Sequence, residues 1–307
     1  MSEPQLPARR RSRWPWIAAT VAVVAAAGVA IAVVTTSDDE STEAKTVRIG
    51  VADAAQPYWR TYADLAKQRL GVTVELVNFN DYSQPNPALK EKQLELNQFQ
   101  HIQYLANYNV TAKDDLQPIG STAVYPLPLY SLKHKAPSEL PANAKIAIPN
   151  DAINQARGLL VLQAAGLLTL KNGGTAFSST ADVESTKVEV VPLDASQTAN
   201  ALQSGSVAAS IVNINYATSA KLPKEAAIFQ DDPASASAAP YVNIFAARAA
   251  DKDDPTYLKL AELYHDPAVE QGLQEANGGV AVLRTVSAAD LQALLAKVQD
   301  QAAAAGR

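Results

Sequence analysis

Over residues 46–79 the spacing of apolar residues changes period twice. "TVRIGVA" (46–52) alternates Val47, Ile49 and Val51 with smaller or polar residues, which predicts a short buried strand. "YWRTYADLAKQRLG" (58–71) carries its apolar residues at helical spacing and ends on Gly71, a C-cap signal. "VTVELVNF" (72–79) reads as a second strand, so the three form a βαβ unit on a parallel sheet. A further helix is expected over "PNPALKEKQLEL" (85–96), with Pro87 near its start.

"LQPIGSTAVYPLPLYSL" (116–132) is extended and broken by prolines, as a strand leaving a lobe through a stiff connection would be. "AKIAIPND" (144–151) then opens a second α/β series. It continues with the helix "INQARGLLVLQAAG" (153–166), the strand "KVEVVPL" (187–193), the helix "SQTANALQSG" (196–205) and the strand "VAASIVN" (207–213). Beyond "AIFQDD" (227–232) and a loose Ala/Ser stretch, "YVNIFAARA" (241–249) is again a strand. Helices follow at "YLKLAELYHD" (257–266) and "AADLQALLAKVQDQAAAA" (288–305). A chain that builds one α/β lobe, builds another and returns predicts two lobes around a cleft. The first lobe is expected over 46–128 with 233–285 and the second over 129–232. The crossovers are expected near 125–140 and 220–240, and a C-terminal helical extension over 286–307.

The N-terminus follows a different pattern. Arg9, Arg10, Arg11 and Arg13 lie in a basic segment (1–13), followed by the uncharged "WPWIAATVAVVAAAGVAIAVV" (14–34). Ile17 begins an apolar run of 18 residues with no polar face, about the shortest that spans a bilayer as a helix. The arginines belong on the cytoplasmic side, which places the rest of the chain outside the membrane. The segment reads as a retained transmembrane anchor or as a long cleaved signal peptide, and the acidic stretch 35–45 as a linker. Without the basic segment the chain holds 22 basic and 30 acidic residues, an acidic body that argues against a nucleic-acid partner. There is no cysteine, so disulfides, thiol catalysis, cysteine-ligated metal and lipid carried on a cysteine are all excluded.

Catalytic patterns are missing from the sequence. It has no G-x-S-x-G elbow, no H-E-x-x-H and no Gly-rich phosphate loop after a strand, and it implies no cofactor and no metal. His134 reads as a solvated loop residue and His265 as a helix-end residue. Asp53, Asp81 and Asp151 occur singly near strand ends or turns, where caps are common. Binding patterns are stronger. Asn154 and Arg157 share one face of a helix that begins at a strand's C-terminal end, a place from which arginine can fork a carboxylate; the other reading is a surface arginine paired with Asp151. Tyr82 follows the second strand. Phe99, His101 and Tyr104 in "QFQHIQYL" (98–105) line one wall of a pocket or serve as ordinary core. Asn213 ends an apolar strand, either as a ligand contact or as a helix cap.

The segments "VELVNFNDYSQPNPAL", "FQHIQYL", "AIPNDAINQAR", "GLLVLQAAGLLTLK", "SIVNINYA" and "PYVNIFAAR" resemble, in order and spacing, the NlpA-type substrate-binding proteins, the methionine-binding components of a bacterial ABC importer. The resemblance runs from about residue 47 to about 282. It implies a two-lobed type II periplasmic-binding-protein fold, an interlobe cleft for L-methionine or a close derivative, and ABC permease and ATPase subunits as partners. Position by position it makes Tyr82, Phe99, His101 and Tyr104 the pocket for the thioether side chain. Asn154 and Arg157 would hold the α-carboxylate, and Asn213 would bind the head group. On this reading His101 is a pocket wall and hydrogen-bond donor, not a catalyst. The chain departs from the family in lacking a lipobox cysteine, in carrying Ile102-Gln103 where Lys-Pro is common, and in its extension beyond Val286. A membrane-tethered sensor or scaffold on the same fold is the alternative function, and an exported enzyme a weaker third.

Overall fold

Val47, Ile49 and Val51 are fully buried, and the strand they form is where the first sheet is built. A computed structural model describes residues 45–306; the basic segment, the uncharged 14–34 stretch and linker residues 35–44 lie outside the described residues. Among the described residues, no helix is long and apolar enough to cross a membrane.

The first part of the chain runs β1 (Thr46–Val51), α1 (Pro57–Leu70), β2 (Thr73–Asn78), α2 (Pro85–Lys90), β3 (Leu96–His101), α3 (Ile102–Ala112) and β4 (Gln117–Val124). β1 pairs in parallel with both β2 and β3. Helix α1 ends as its sequence predicts. Gly71 sits at φ 68°, its N–H reaches the Lys67 carbonyl at 3.2 Å, and the Val72 N–H reaches that of Ala66 at 3.3 Å.

The helix expected over 85–96 stops at Lys90 instead. Lys92 turns left-handed at φ 61°, and Leu94 and Leu96 enter the core at the start of β3. Glu95, between them, accepts three bonds from Arg48, through the backbone N–H at 2.8 Å and through Nε and Nη2 of the guanidinium. Strand β3 itself is central yet lacks apolar alternation. Its Asn97 and Gln100 are buried in an amide network with Asn86, with contacts of 2.6–3.0 Å. Burial there is satisfied by hydrogen bonds, so no hydrophobic period marks the strand.

The second part contains β5 (Pro128–Tyr130), β6 (Lys145–Pro149), α4 (Ala152–Ala164), β7 (Leu168–Leu170), β8 (Val183–Thr186), β9 (Glu189–Leu193), α5 (Thr198–Gln203), β10 (Ala209–Ile211), α6 (Ile214–Ser219) and β11 (Ala227–Gln230). The chain then returns through β12 (Val242–Ala247), α7 (Pro255–Leu263), α8 (Pro267–Ala276), β13 (Val282–Leu283) and α9 (Ala288–Ala304). Two main sheets result, in the orders β13-β4-β12-β3-β1-β2 and β11-β5-β10-β6-β9, with β7-β8 a separate hairpin. The returning strand β12 lies antiparallel between β3 and β4. This is a mixed α/β fold of two lobes, and the chain passes between them through residues 125–127 and 231–241.

Each sheet is covered on both faces. In the first lobe, Tyr58, Trp59 and Tyr62 of α1 pack with Phe245 and Tyr264 on one side. On the other side Ile102 and Leu105 of α3 meet Leu291, Leu295 and Val298 of α9. The α9 stripe recurs every three or four residues and is fully buried, so the segment read in the sequence as an extension completes this core.

Candidate functional site

Parallel strands end where helices begin, and five such ends meet in one cavity between the lobes. β1 runs out to Asp53, β2 toward Tyr82, β3 to Phe99 and His101, β6 into the start of α4, and β10 into the start of α6. The cavity measures about 90 Å³, room for several waters or one small molecule. Tyr82, Phe99, His101, Tyr104, Asn154, Arg157 and Asn213 all line it.

Three rings make one wall. Tyr82, Phe99 and Tyr104 have centroids 5.8–6.3 Å apart, with Tyr104 edge-on to the other two. Burial pushes the Tyr82 and Tyr104 phenols far above their ordinary range, so both are neutral hydroxyls.

His101 ends β3 and caps α3: its Nδ1 accepts the Tyr104 backbone N–H at 3.1 Å. That bond leaves the ring proton on Nε2, which makes Nε2–H a donor. Burial, helped by the Arg157 charge, lowers the imidazole from 6.5 to about 3. The ring is therefore neutral at physiological pH and not a base in waiting. Unfolded His101 takes up a proton below its ordinary 6.5 and the folded residue does so only near 3, so stability is complete above 6.5 and falls as pH drops between those values. Unfolding free energy is expected to lose roughly 2 kcal/mol between about pH 6.5 and pH 5, with His101→Asn flattening that slope. Urea unfolding at a series of pH values measures it, and a slope unchanged in the variant refutes it.

Arg157 lies in the second turn of α4 with a side chain only 6% exposed. It does not pair with Asp151. Its Nε donates to Asp231 at 2.7 Å, its Nη2 donates to the Tyr125 carbonyl at 2.8 Å, and its guanidinium carbon lies 4.2 Å from the Tyr241 ring centre. Among the described residues Nη1 has no hydrogen-bond partner, so the outer end of the fork remains available. Asp151 is instead the N-cap of α4. It accepts the Asn154 N–H at 2.9 Å, and Asn154 Nδ2 lies 3.1 and 3.0 Å from its two oxygens.

These contacts fix a chain of amide orientations. With Asn154 Nδ2 on Asp151, its Oδ1 faces Asn213, whose Nδ2 donates at 2.9 Å. The Asn213 Oδ1 is thereby turned away and is buried without a partner. Asn215, two residues on, is the complement. Its Oδ1 accepts the Tyr82 hydroxyl at 2.5 Å, and its Nδ2 is buried without a partner. Both residues line the cavity, and an unsatisfied acceptor and an unsatisfied donor there are groups that a polar guest with a donor and an acceptor would satisfy. Sequence reasoning missed Asn215, although its spacing from Asn213 after β10 is the signal that would have found it. It also assigned no ligand role to Asp53, whose carboxylate lines the cavity and accepts Tyr58 Oη at 2.6 Å and Trp59 Nε1 at 2.8 Å.

The lobes are held over the cavity. The Tyr82–Asn215 bond crosses the cleft, and the Tyr216 hydroxyl donates to the Asn80 carbonyl at 2.8 Å. Lys224 Nζ also donates to the Gly278 carbonyl. His134 and His265 are elsewhere. His265 bridges Glu270 at 2.8 Å and the Ser121 carbonyl at 2.9 Å, a structural role at the α7–α8 turn. Among the described residues no cluster of three or more acidic or histidine side chains is placed to hold a metal.

The family model described as NlpA lipoprotein matches residues 47–284 of this chain. The chain belongs to the NlpA lipoprotein family. Among its NlpA-type relatives, the D-methionine-binding lipoprotein MetQ of Yersinia pestis is 36% identical over 240 residues, 77% of this chain and 87% of the relative. The MetQ lipoprotein of Escherichia coli K12 is 34% identical over 267 residues, 86% and 97% of the two. Among solved structures, a nutrient-binding protein from Burkholderia cenocepacia bound to methionine shares 34% identity and a TM-score of 0.71, over 77% of this chain and 99% of that one. The match ends before α9, and all seven cavity residues expected from the resemblance fall inside it.

Proposed function

We propose that this NlpA-family chain captures L-methionine, or a close derivative, outside the membrane and delivers it to the permease and ATPase of an ABC importer, without chemical change. The single observation that carries this reading is the set of unspent groups on residues that line one cavity. Asn213 Oδ1 suits an ammonium, while Arg157 Nη1 and Asn215 Nδ2 suit a carboxylate. The aromatic wall suits an unbranched apolar side chain carrying a polarizable sulfur. Asn154 acts in this scheme by turning Asn213, and His101 supplies an Nε2–H donor. The placement of β12 between β3 and β4, with two crossovers, supports a type II binding-protein fold that opens and closes by a hinge.

The names of the relatives support both the ligand class and a role in binding rather than catalysis. They also support an extracytoplasmic location. This sequence has no cysteine to carry lipid, so the 14–34 stretch is proposed as the tether or export signal. Calorimetric titration of the purified protein with the twenty L-amino acids and with D-methionine tests the reading. Methionine is expected to bind and to stabilise the fold. Heat from a different amino acid with none from either enantiomer of methionine would overturn the assignment.

A further inference from the structure

Asp231 is the first residue of the returning crossover, and its carboxylate spans more of the hinge than any role in the ion pair requires. Its Oδ1 accepts the Leu127 backbone N–H at 2.8 Å, on the outgoing crossover. Its Oδ2 accepts Arg157 Nε at 2.7 Å, on the second lobe. Arg157 in turn donates to the Tyr125 carbonyl on the outgoing crossover and lies over Tyr241, at the far end of the returning one. The guanidinium is thus held on two edges and one face by both hinge segments.

We infer that Asp231 is a positioning residue for ligand capture: it orients Arg157 through Nε, so that the outer end of the fork faces the cavity, and ties that orientation to the hinge. The inference rests on the proposed carboxylate-binding role of Arg157. Its physical basis is the geometry of the guanidinium, a rigid planar fork with five N–H groups. Anchoring Nε and one Nη2 hydrogen fixes the plane, and the two Nη1 hydrogens and the second Nη2 hydrogen are left at the outer end. An arginine free to rotate would present that end only part of the time, and each misdirected rotamer lowers the population competent to bind. The Leu127 contact adds the hinge: movement of the two crossovers past one another shifts Asp231, and with it the fork.

The test uses Asp231→Asn, which keeps the size but cannot accept from both Leu127 and Arg157. One amide oxygen serves one of them, and the amide nitrogen then faces the other, donor to donor. Methionine and methioninol, which has a hydroxymethyl group in place of the carboxylate, are titrated into the wild type and the variant. Methionine is expected to bind the variant roughly tenfold more weakly, while methioninol changes little, because the loss passes through the carboxylate fork. Equal losses for both ligands would reduce Asp231 to a structural tie and overturn the inference. Tighter methionine binding would also overturn it, by showing that the carboxylate competes with the ligand for Arg157. If the wild type binds neither ligand, the functional reading fails and the inference falls with it, a result distinct from the other two. Should the variant not fold, the Arg157 Nε–H resonance of the wild-type protein decides. It is expected to stay protected from exchange when methionine is added, and loss of that protection means that the ligand displaces Asp231.

Discussion

Arg157→Ala is expected to weaken methionine binding more than a hundredfold. Inside the interlobe cavity the ligand carboxylate loses its counter-charge while staying desolvated, and breaking a buried charged pair costs roughly 3–5 kcal/mol. The side chain is 6% exposed, so water cannot take over the role as it would on a surface. Arg157→Lys should rescue only part of the loss. An ammonium is a point charge, and it cannot serve Asp231, the Tyr125 carbonyl and a ligand in the present geometry. Folding and binding separate cleanly in this variant. Asp231 keeps its Leu127 contact and is 29% exposed, so thermal unfolding should shift far less than affinity. Calorimetry on the three proteins decides the matter. An unchanged Kd in Arg157→Ala would end the carboxylate-clamp assignment and leave Arg157 as a hinge residue only.

Asn213→Leu is expected to lower affinity roughly ten- to a hundredfold, since a hydrogen bond to a charged group contributes about 1.5–3 kcal/mol. The orphaned Oδ1 makes the experiment sharper than a usual truncation. Removing an unsatisfied buried acceptor relieves a cost in the protein alone, although Asn154 Oδ1 gives up its partner in exchange. Stability without ligand should therefore change little while affinity falls. If the orphan were simply a tolerated defect, the variant would bind methionine as before. Comparing Tm without ligand against Kd distinguishes the two outcomes, because the acceptor role predicts a change in only the second.

Much of this protein is legible in its sequence. The βαβ opening, the Gly71 cap, the second α/β series and the returning strand follow from apolar spacing and turn residues, which are local signals. The seven cavity residues came from a resemblance of ordered motifs and from their places at strand ends, and tertiary structure brings all seven to one cavity. What local pattern did not reveal was where burial is polar. β3 is a central strand whose Asn97, Gln98 and Gln100 are buried on amide hydrogen bonds, so it shows no hydrophobic alternation and the preceding helix looked longer than it is. Partner choice was equally out of reach. Spacing along α4 offered Asp151 to Arg157, six residues away. The fold instead uses Asp151 as a cap and brings Asp231 across 74 positions to the guanidinium. Hydrophobic period is written into neighbouring residues, whereas the choice among polar partners depends on which groups the closed chain leaves without water. Only the tertiary structure decides that.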